Sequence, residues 1–458
     1  MFINHDYIEN LLKETKHTTQ EDIQAILNKA ASKKGLSHKE IACLLQTEDP
    51  SQLAELFHIA GQIKQDIYGN RVVVFAPLYI SDYCVNNCTY CGYRRDNSFP
   101  RRRLTREEIQ EEVKLLEKMG HKRLALEAGE DPVNCDIDYV LDSIDAIYKT
   151  ENDNGAIRRI NVNIAATTVE NYKKLKDANI GTYILFQETY HKPTYDKVHP
   201  KSIKGDYEYH LTAFDRAMEA HIDDVGGGVL FGLSDSKFEV LALMLHNEHL
   251  ENTFGVGFHT ISVPRIKKAE GMDLSKFPHL VDDNMFKKIV AIIRLAVPFT
   301  GIIISTRESA EIRKEVLKYG VSQVSAGSCT GVGGYKEHEE GNDISQFDLS
   351  DHRSPLEIIK WLIDDHYIPS YCTACYRQGR TGDRFMRLAK SGQIHNVCTP
   401  NALMTLMEFI LDYGDSELYE KGTALIEKEL SKISKPSVKE LLENNIERLK
   451  QGERDLFV

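Results

Sequence analysis

Arg71-Val-Val-Val-Phe-Ala-Pro-Leu-Tyr-Ile80, followed after three residues by Cys84-Val-Asn-Asn-Cys88-Thr-Tyr-Cys91, decides how the chain is read. The first half is a β-branched and aromatic run of strand length, and the cysteines begin where such a strand would end. Seven further β-like runs follow, at 123–130, 159–166, 182–190, 224–233, 256–266, 300–306 and 323–330, most of them separated by a helical pattern. Thr105 with Glu108 makes a capping box that opens one of these helices, and Gly120 closes it. The run 308–319 is amphipathic and stops at Gly320. Eight strand–helix units predict an α/β fold, a TIM-type (β/α)8 barrel, with a doubly wound open sheet as the competing layout. A barrel puts reacting groups at the C-terminal ends of its strands. Cys84, Cys88 and Cys91 follow the first run, Glu130 ends the second, and Glu188 lies near the end of the fourth.

Outward from the barrel the chain reads as helical. Residues 1–70 form an N-terminal extension with amphipathic runs at 21–31 and 37–45. Residues 71–350 are assigned to the barrel, ending in a Gly-rich, acidic connector at 331–351. Residues 351–458 form a C-terminal helical domain that opens at Ser354-Pro355 with Glu357 completing a capping box, and another box is expected at Ser437 and Glu440. The chain has 57 basic and 69 acidic residues, net −12, which disfavours a nucleic-acid partner. The most apolar stretch, 289–305, is interrupted by Arg294 and Pro298, and no signal peptide is evident, so a cytoplasmic protein without a membrane segment is expected. Nine cysteines then argue for metal or catalysis rather than disulfides.

Cys84, Cys88 and Cys91 have CxxxCxxC spacing. Three thiolates on one short loop can hold a 4Fe–4S cluster and leave its fourth iron open to a small molecule. A zinc site is the competing reading, but such sites usually show four ligands in paired groups, and no second pair is local. The loop resembles that of the radical S-adenosylmethionine (SAM) superfamily. In that family the small molecule is SAM and the aromatic before the last cysteine, here Tyr90, lies near adenine. Ala128-Gly129-Glu130 resembles the superfamily's Gly-Gly-Glu segment, which binds the methionyl amino group; the first Gly is Ala here. Glu188, within Gln187-Glu-Thr-Tyr190, and Arg216 resemble SAM-binding positions of the lyase branch, with a barrel-rim ion pair as the alternative.

From about residue 73 to 400 the chain resembles the aromatic amino-acid lyases of that superfamily, through Gln187-Glu-Thr-Tyr190, Gly228-Val-Leu-Phe-Gly-Leu233, Pro264-Arg265, Ser305-Thr-Arg-Glu308 and Ser325-Ala-Gly-Ser328. Two branches cleave tyrosine: 2-iminoacetate synthase of thiamine synthesis, and the maturases that make CO and cyanide for the FeFe-hydrogenase active site. Cys372 and Cys375 with Cys398, a CxxC-x22-C pattern, favour the maturases, whose C-terminal extension holds a second 4Fe–4S cluster and an additional iron. Structural zinc with His395 is the competing reading. His259 in Gly257-Phe-His-Thr-Ile-Ser262 matches the family's ligand to that additional iron, although a strand histidine can equally be a packed core residue.

The resemblance implies cleavage of L-tyrosine to p-cresol and dehydroglycine, then conversion of dehydroglycine to CO and cyanide. Arg307 would take the tyrosine carboxylate as a bidentate pair, unless it forms a rim salt bridge with Glu308. A flavodoxin or ferredoxin would supply electrons, and other hydrogenase maturation proteins would be partners. Arg94, Arg95, Arg101, Arg102, Arg103 and Arg106 are read as a docking patch for that donor or as a solvated basic loop. Cys43, Cys135 and Cys329 are expected to pack as small apolar residues. A non-catalytic iron carrier would need neither the SAM segments nor Arg307.

Overall fold

The computed structural model describes residues 2–339 and 346–458. Each of the eight runs contains a strand: β1 Arg71–Ser81, β2 Arg123–Ala128, β3 Arg159–Asn163, β4 Tyr183–Ile184, β5 Val225–Gly228, β6 Thr260–Ser262, β7 Gly301–Ile304 and β8 Gln323–Ser325. They pair in parallel in chain order, and β8 returns to β1 in the register Val73↔Gln323 to Phe75↔Ser325, which closes the barrel. The open-sheet alternative is therefore excluded. β1 runs one residue past its predicted run, and the other seven strands are shorter than theirs.

Most of the helices follow their signals. Arg106–Lys118 carries the Thr105/Glu108 capping box, and Pro355–Asp364 the Ser354/Glu357 box. The helix after β7 is Ala310–Tyr319, stopping at Gly320. The box expected at Ser437 and Glu440 does not form: that helix, Pro436–Lys450, starts with a proline in its first turn and takes no side-chain cap. The proline's fixed φ starts the helix two residues early, so Ser437 falls inside it. Arg294, which interrupts the most apolar stretch, is buried and donates to the carbonyls of Pro298 (2.7 Å), Thr300 (2.8 Å) and Gly320 (2.7 Å). Among the described residues no helix is long and apolar enough to cross a membrane.

The C-terminal region is not wholly helical. Ile368–Ser370 adds a ninth strand, β9, to the barrel sheet, paired with β1 in the register Arg71↔Ile368 to Val73↔Ser370. Val73 thus pairs with Gln323 on one side and Ser370 on the other, so β9 occupies the edge of β1 ahead of the start of β2. That strand delivers Cys372 and Cys375 to the N-terminal mouth of the barrel, opposite the mouth that holds Cys84, Cys88 and Cys91. Part of the acidic connector is the helix Gly334–Glu339, and its residues 340–345 lie outside those described.

Candidate active site and second cysteine site

At the C-terminal mouth the loop after β1 folds back on the end of β2. Gly129 donates to the carbonyl of Ser81 (3.0 Å) and Val85 to that of Glu130 (2.8 Å). A Cβ on Gly129 would stand 2.4 Å from the Tyr83 carbonyl and 3.2 Å from Cys84 Cβ, so only glycine admits this approach. Cys84, Cys88 and Cys91 line a cavity of about 270 Å³. Ala128, Gly129, Glu130, Tyr90, Glu188 and Arg307 share its wall. Burial pushes the Cys88 and Cys91 thiols up, and Gln346 Nε2 donates to Cys91 Sγ at 3.4 Å.

The cavity is electrostatically prepared. Glu130 accepts a hydrogen bond from Asn86 on the cysteine loop, and burial raises its carboxyl above its ordinary value. Glu188 sits at φ +67°, a strained backbone position for a side-chain-bearing residue. It pairs with Lys204 at 2.7 Å. Burial works against the Lys204 ammonium, but Glu188 and Cys88 raise it above its usual value. The Tyr90 hydroxyl meets His199 Nε2 at 2.7 Å. Deeper in, burial lifts Glu127 to about 8 while Asn163 donates to it at 2.7 Å.

Arg307 is not paired with Glu308. Glu308 is taken by Arg265 through Nε (3.0 Å) and a second nitrogen. Arg307 lies over the Phe347 ring at 3.6 Å, and its buried Nε has no partner among the described residues. Ser328 Oγ, on the same wall, is also unpartnered. Arg216, expected to contact SAM, is not on the cavity wall. Its three nitrogens donate to Thr167 O (2.8 Å), Thr212 Oγ1 (2.9 Å) and Tyr209 O (2.7 Å), which places it in the support of the rim.

At the other mouth Cys372, Cys375 and Cys398 line a smaller cavity of about 80 Å³ with His259 and Arg71. Cys372 has φ +50°, where β9 turns sharply to present the thiols. Cys398 comes from the first turn of the helix His395–Tyr413. Its thiol is held below its ordinary value by the hydrogen bond from Cys375 and, against burial, by Arg71. His259 precedes β6, with Nδ1 3.4 Å from Asp224 and its ring edge-on to Phe385. His395 faces away: Nδ1 lies 3.3 Å from Arg71 and Nε2 2.9 Å from the Asp66 carbonyl, which removes it as a zinc ligand.

All nine cysteines are free of disulfides. Among the described residues no three His, Cys, Asp or Glu side chains stand ready for a single metal ion. A 4Fe–4S cube takes its ligands from cysteine thiolates, and each cysteine triplet borders a cavity. Cys43 is buried in the helix His38–Gln46, and burial lifts the Cys135 thiol to about 12, so both pack as expected.

Sequence reading missed Lys204, Glu127, Asn163 and the basic floor of Arg71, Arg123 and Arg159. The floor did leave a signal, because three of the eight runs begin with arginine.

A closed (β/α)8 barrel with a CxxxCxxC loop folded onto the end of β2 defines a radical SAM enzyme. Residues 78–245 match the Radical SAM superfamily, and residues 262–368 the Biotin and Thiamin Synthesis associated domain. A crystal structure of HydG, a maturase of the FeFe-hydrogenase, is 58% identical with a TM-score of 0.97, covering 100% of both chains. HydG from Carboxydothermus hydrogenoformans is 39% identical with a TM-score of 0.84, covering 96% of this chain and 97% of that one. The 2-iminoacetate synthase of Salmonella typhimurium is 29% identical over 338 residues, 74% of this chain and 86% of the relative. The chain belongs to the HydG family of FeFe-hydrogenase maturases.

Proposed function

We propose that this radical SAM lyase cleaves L-tyrosine to p-cresol and dehydroglycine at the C-terminal mouth, and converts dehydroglycine to CO and cyanide on a cargo iron at the N-terminal mouth. The observation that carries the reading is the placing of two free cysteine triplets at opposite ends of one barrel. Chain order divides the labour: 1–70 buttresses the barrel, 71–350 performs cleavage, and 351–458 brings the second site.

When bound, the first 4Fe–4S cluster and SAM supply the radical equivalent that opens the substrate. The residues do the rest. Cys84, Cys88 and Cys91 would hold that cluster, Glu130 would take the methionyl amino group, and Tyr90 would lie near adenine. Glu188, paired with Lys204, shapes the SAM side of the cavity, and Arg216 holds the rim behind it. Arg307, with its unpartnered Nε, takes the tyrosine carboxylate and aligns the amino group for hydrogen loss. The closed barrel keeps water from the radical and offers dehydroglycine an interior route. Cys372, Cys375 and Cys398 hold the second cluster. His259, oriented by Asp224 at Nδ1, offers its other nitrogen to the cargo iron. A cytoplasmic setting, a flavodoxin or ferredoxin donor and further hydrogenase maturation proteins complete the proposal.

A pure 2-iminoacetate synthase would stop at dehydroglycine and has no use for the second triplet. Incubating the anaerobically reconstituted protein with labelled tyrosine, SAM, iron and a reductant tests the proposal. The expected products are p-cresol and infrared bands of iron-bound CO and cyanide that shift with the label. Formation of p-cresol with no such bands would leave only the synthase-like step.

A further inference from the structure

The arginine run after the cysteine loop is largely committed to the fold. Arg101 donates to the carbonyls of Asp82 (2.7 Å), Tyr93 (2.7 Å) and Arg94 (2.6 Å). Arg102 pairs with Glu108 at 2.8 Å and Glu337 at 3.3 Å, and Arg106 with Asp142 and Asp145. These side chains hold the loop in place and offer little free charge to a partner.

Free positive charge next to the loop comes from other segments. Thr89, between Cys88 and Cys91, donates its backbone N–H to Val198 O at 3.0 Å, and Asn87 donates to Ser202 Oγ at 2.8 Å. Residues 197–203 therefore lie flush against the cysteine loop. Beside them a surface hollow of about 320 Å³ has Thr89, Arg94, Lys197, Lys276 and Phe277 in its wall. Lys197 and the neighbouring Lys201 are exposed and have no carboxylate partner among the described residues. One acid, Asp273, is in the wall, 3.9 Å from Lys276. Ile203 (51% exposed), Leu274 (36%) and Leu280 (52%) stand on the same two segments. The result is a small apolar area with a basic rim, on a chain of net charge −12.

We propose that this surface docks a small acidic one-electron donor protein and brings its redox group against the Cys88–Cys91 loop. The proposal rests on the radical SAM reading and adds where the electron enters. The donor is oxidised by one electron and the cluster reduced by one; no atom is transferred. Opposite charge steers the donor to this face, while the acidic remainder of the surface repels it. A small, partly apolar area suits an encounter that must form and dissolve at each turnover.

The test compares the holoenzyme with its Lys197→Glu/Lys276→Glu variant, using purified flavodoxin as the probe. Complex formation with oxidised flavodoxin is followed by NMR line broadening, and cluster reduction by flavodoxin hydroquinone in stopped flow. At low ionic strength both affinity and reduction rate should fall about tenfold or more, since charge-steered association depends on such rims. Dithionite-driven formation of 5′-deoxyadenosine should be unchanged, which separates a docking defect from failure of the radical SAM reading or of folding. Salt should weaken flavodoxin binding to the unmodified protein. Salt-independent binding, or a variant that flavodoxin binds and reduces as fast as the parent, overturns the proposal.

Discussion

Arg123 and Arg159 stand opposite each other on β2 and β3 at the floor of the barrel, both fully buried. Two adjacent guanidiniums in low dielectric repel, and burial followed by Arg159 brings Arg123 down to about 9. Arg123 Nε has no hydrogen-bond partner among the described residues. Arg159 reaches Cys372 at its carbonyl (3.3 Å) and Sγ (3.8 Å), and Asp224 at 3.7 Å. Such a floor calls for anionic charge, and a thiolate-held cluster on Cys372, Cys375 and Cys398 would supply it.

Arg159→Gln should therefore weaken retention of the second cluster, by about 10- to 100-fold if it behaves like other outer-shell partners of metal sites. Iron and sulfide content should fall toward one cluster per chain, while 5′-deoxyadenosine formation persists. Full retention of both clusters would show that the arginines serve packing alone.

Cys372→Ala/Cys375→Ala should still make p-cresol and 5′-deoxyadenosine, because the C-terminal mouth is untouched. It should lose the infrared bands of iron-bound CO and cyanide. His259→Ala should give a milder form, with both clusters present and the cargo iron depleted. Retained bands in the cysteine variant would refute the role given to the second site.

Arg307→Ala should raise KM for tyrosine about 30- to 150-fold, the effect of losing a charge-assisted pair worth roughly 2–3 kcal/mol. Arg307→Lys should recover only part of it, since an ammonium cannot reproduce the fork. SAM affinity, measured without tyrosine, should not move. An unchanged KM in Arg307→Ala would remove the carboxylate assignment.

Lys204→Met leaves the buried Glu188 carboxylate without its ion-pair partner and should cost about 3 kcal/mol, lowering both Tm and SAM affinity. Lys204→Met/Glu188→Gln should recover most of the Tm. If the double variant is no more stable than the single one, the pair is not coupled as its 2.7 Å contact implies.

Glu117 is fully buried, and burial lifts its carboxyl to about 7 against the lowering effect of the Ile157 backbone. A raised carboxyl holds its proton more tightly folded than unfolded, so stability falls as pH rises from about 4.5 to about 7. Glu117→Gln removes that loss and should stabilise the protein on the order of 2 kcal/mol at pH 8, with little difference at pH 5. Denaturant unfolding at the two pH values checks this; equal curves for parent and variant at pH 8 would contradict it.

The strands and the first thiol group were legible because both are local. A β-branched run declares itself within ten residues, and CxxxCxxC within eight. Thr105 and Ser354 were legible as caps for the same reason, whereas Ser437 misled because the adjacent Pro436 started the helix first. Arg307 was found, but its independence from Glu308 was not, because Arg265 arrives from 43 positions away to claim that carboxylate. The arginine run looked like a surface patch because composition cannot tell a side chain that faces solvent from one that caps carbonyls.

Sequence alone determined the barrel class, the loop that opens its chemistry and the six cysteines that border the two cavities. Periodicity and ligand spacing are properties of neighbouring residues, so they survive without a fold. Only the tertiary structure decided that the two cysteine groups lie at opposite mouths. That outcome depends on β9 pairing with the first residues of β1, a contact across nearly 300 residues. Likewise only burial made Arg123, Arg159, Lys204 and Glu127 meaningful. A charged side chain acquires a perturbed pKa or an obligatory partner when water is excluded, and closure of the barrel is what excludes it.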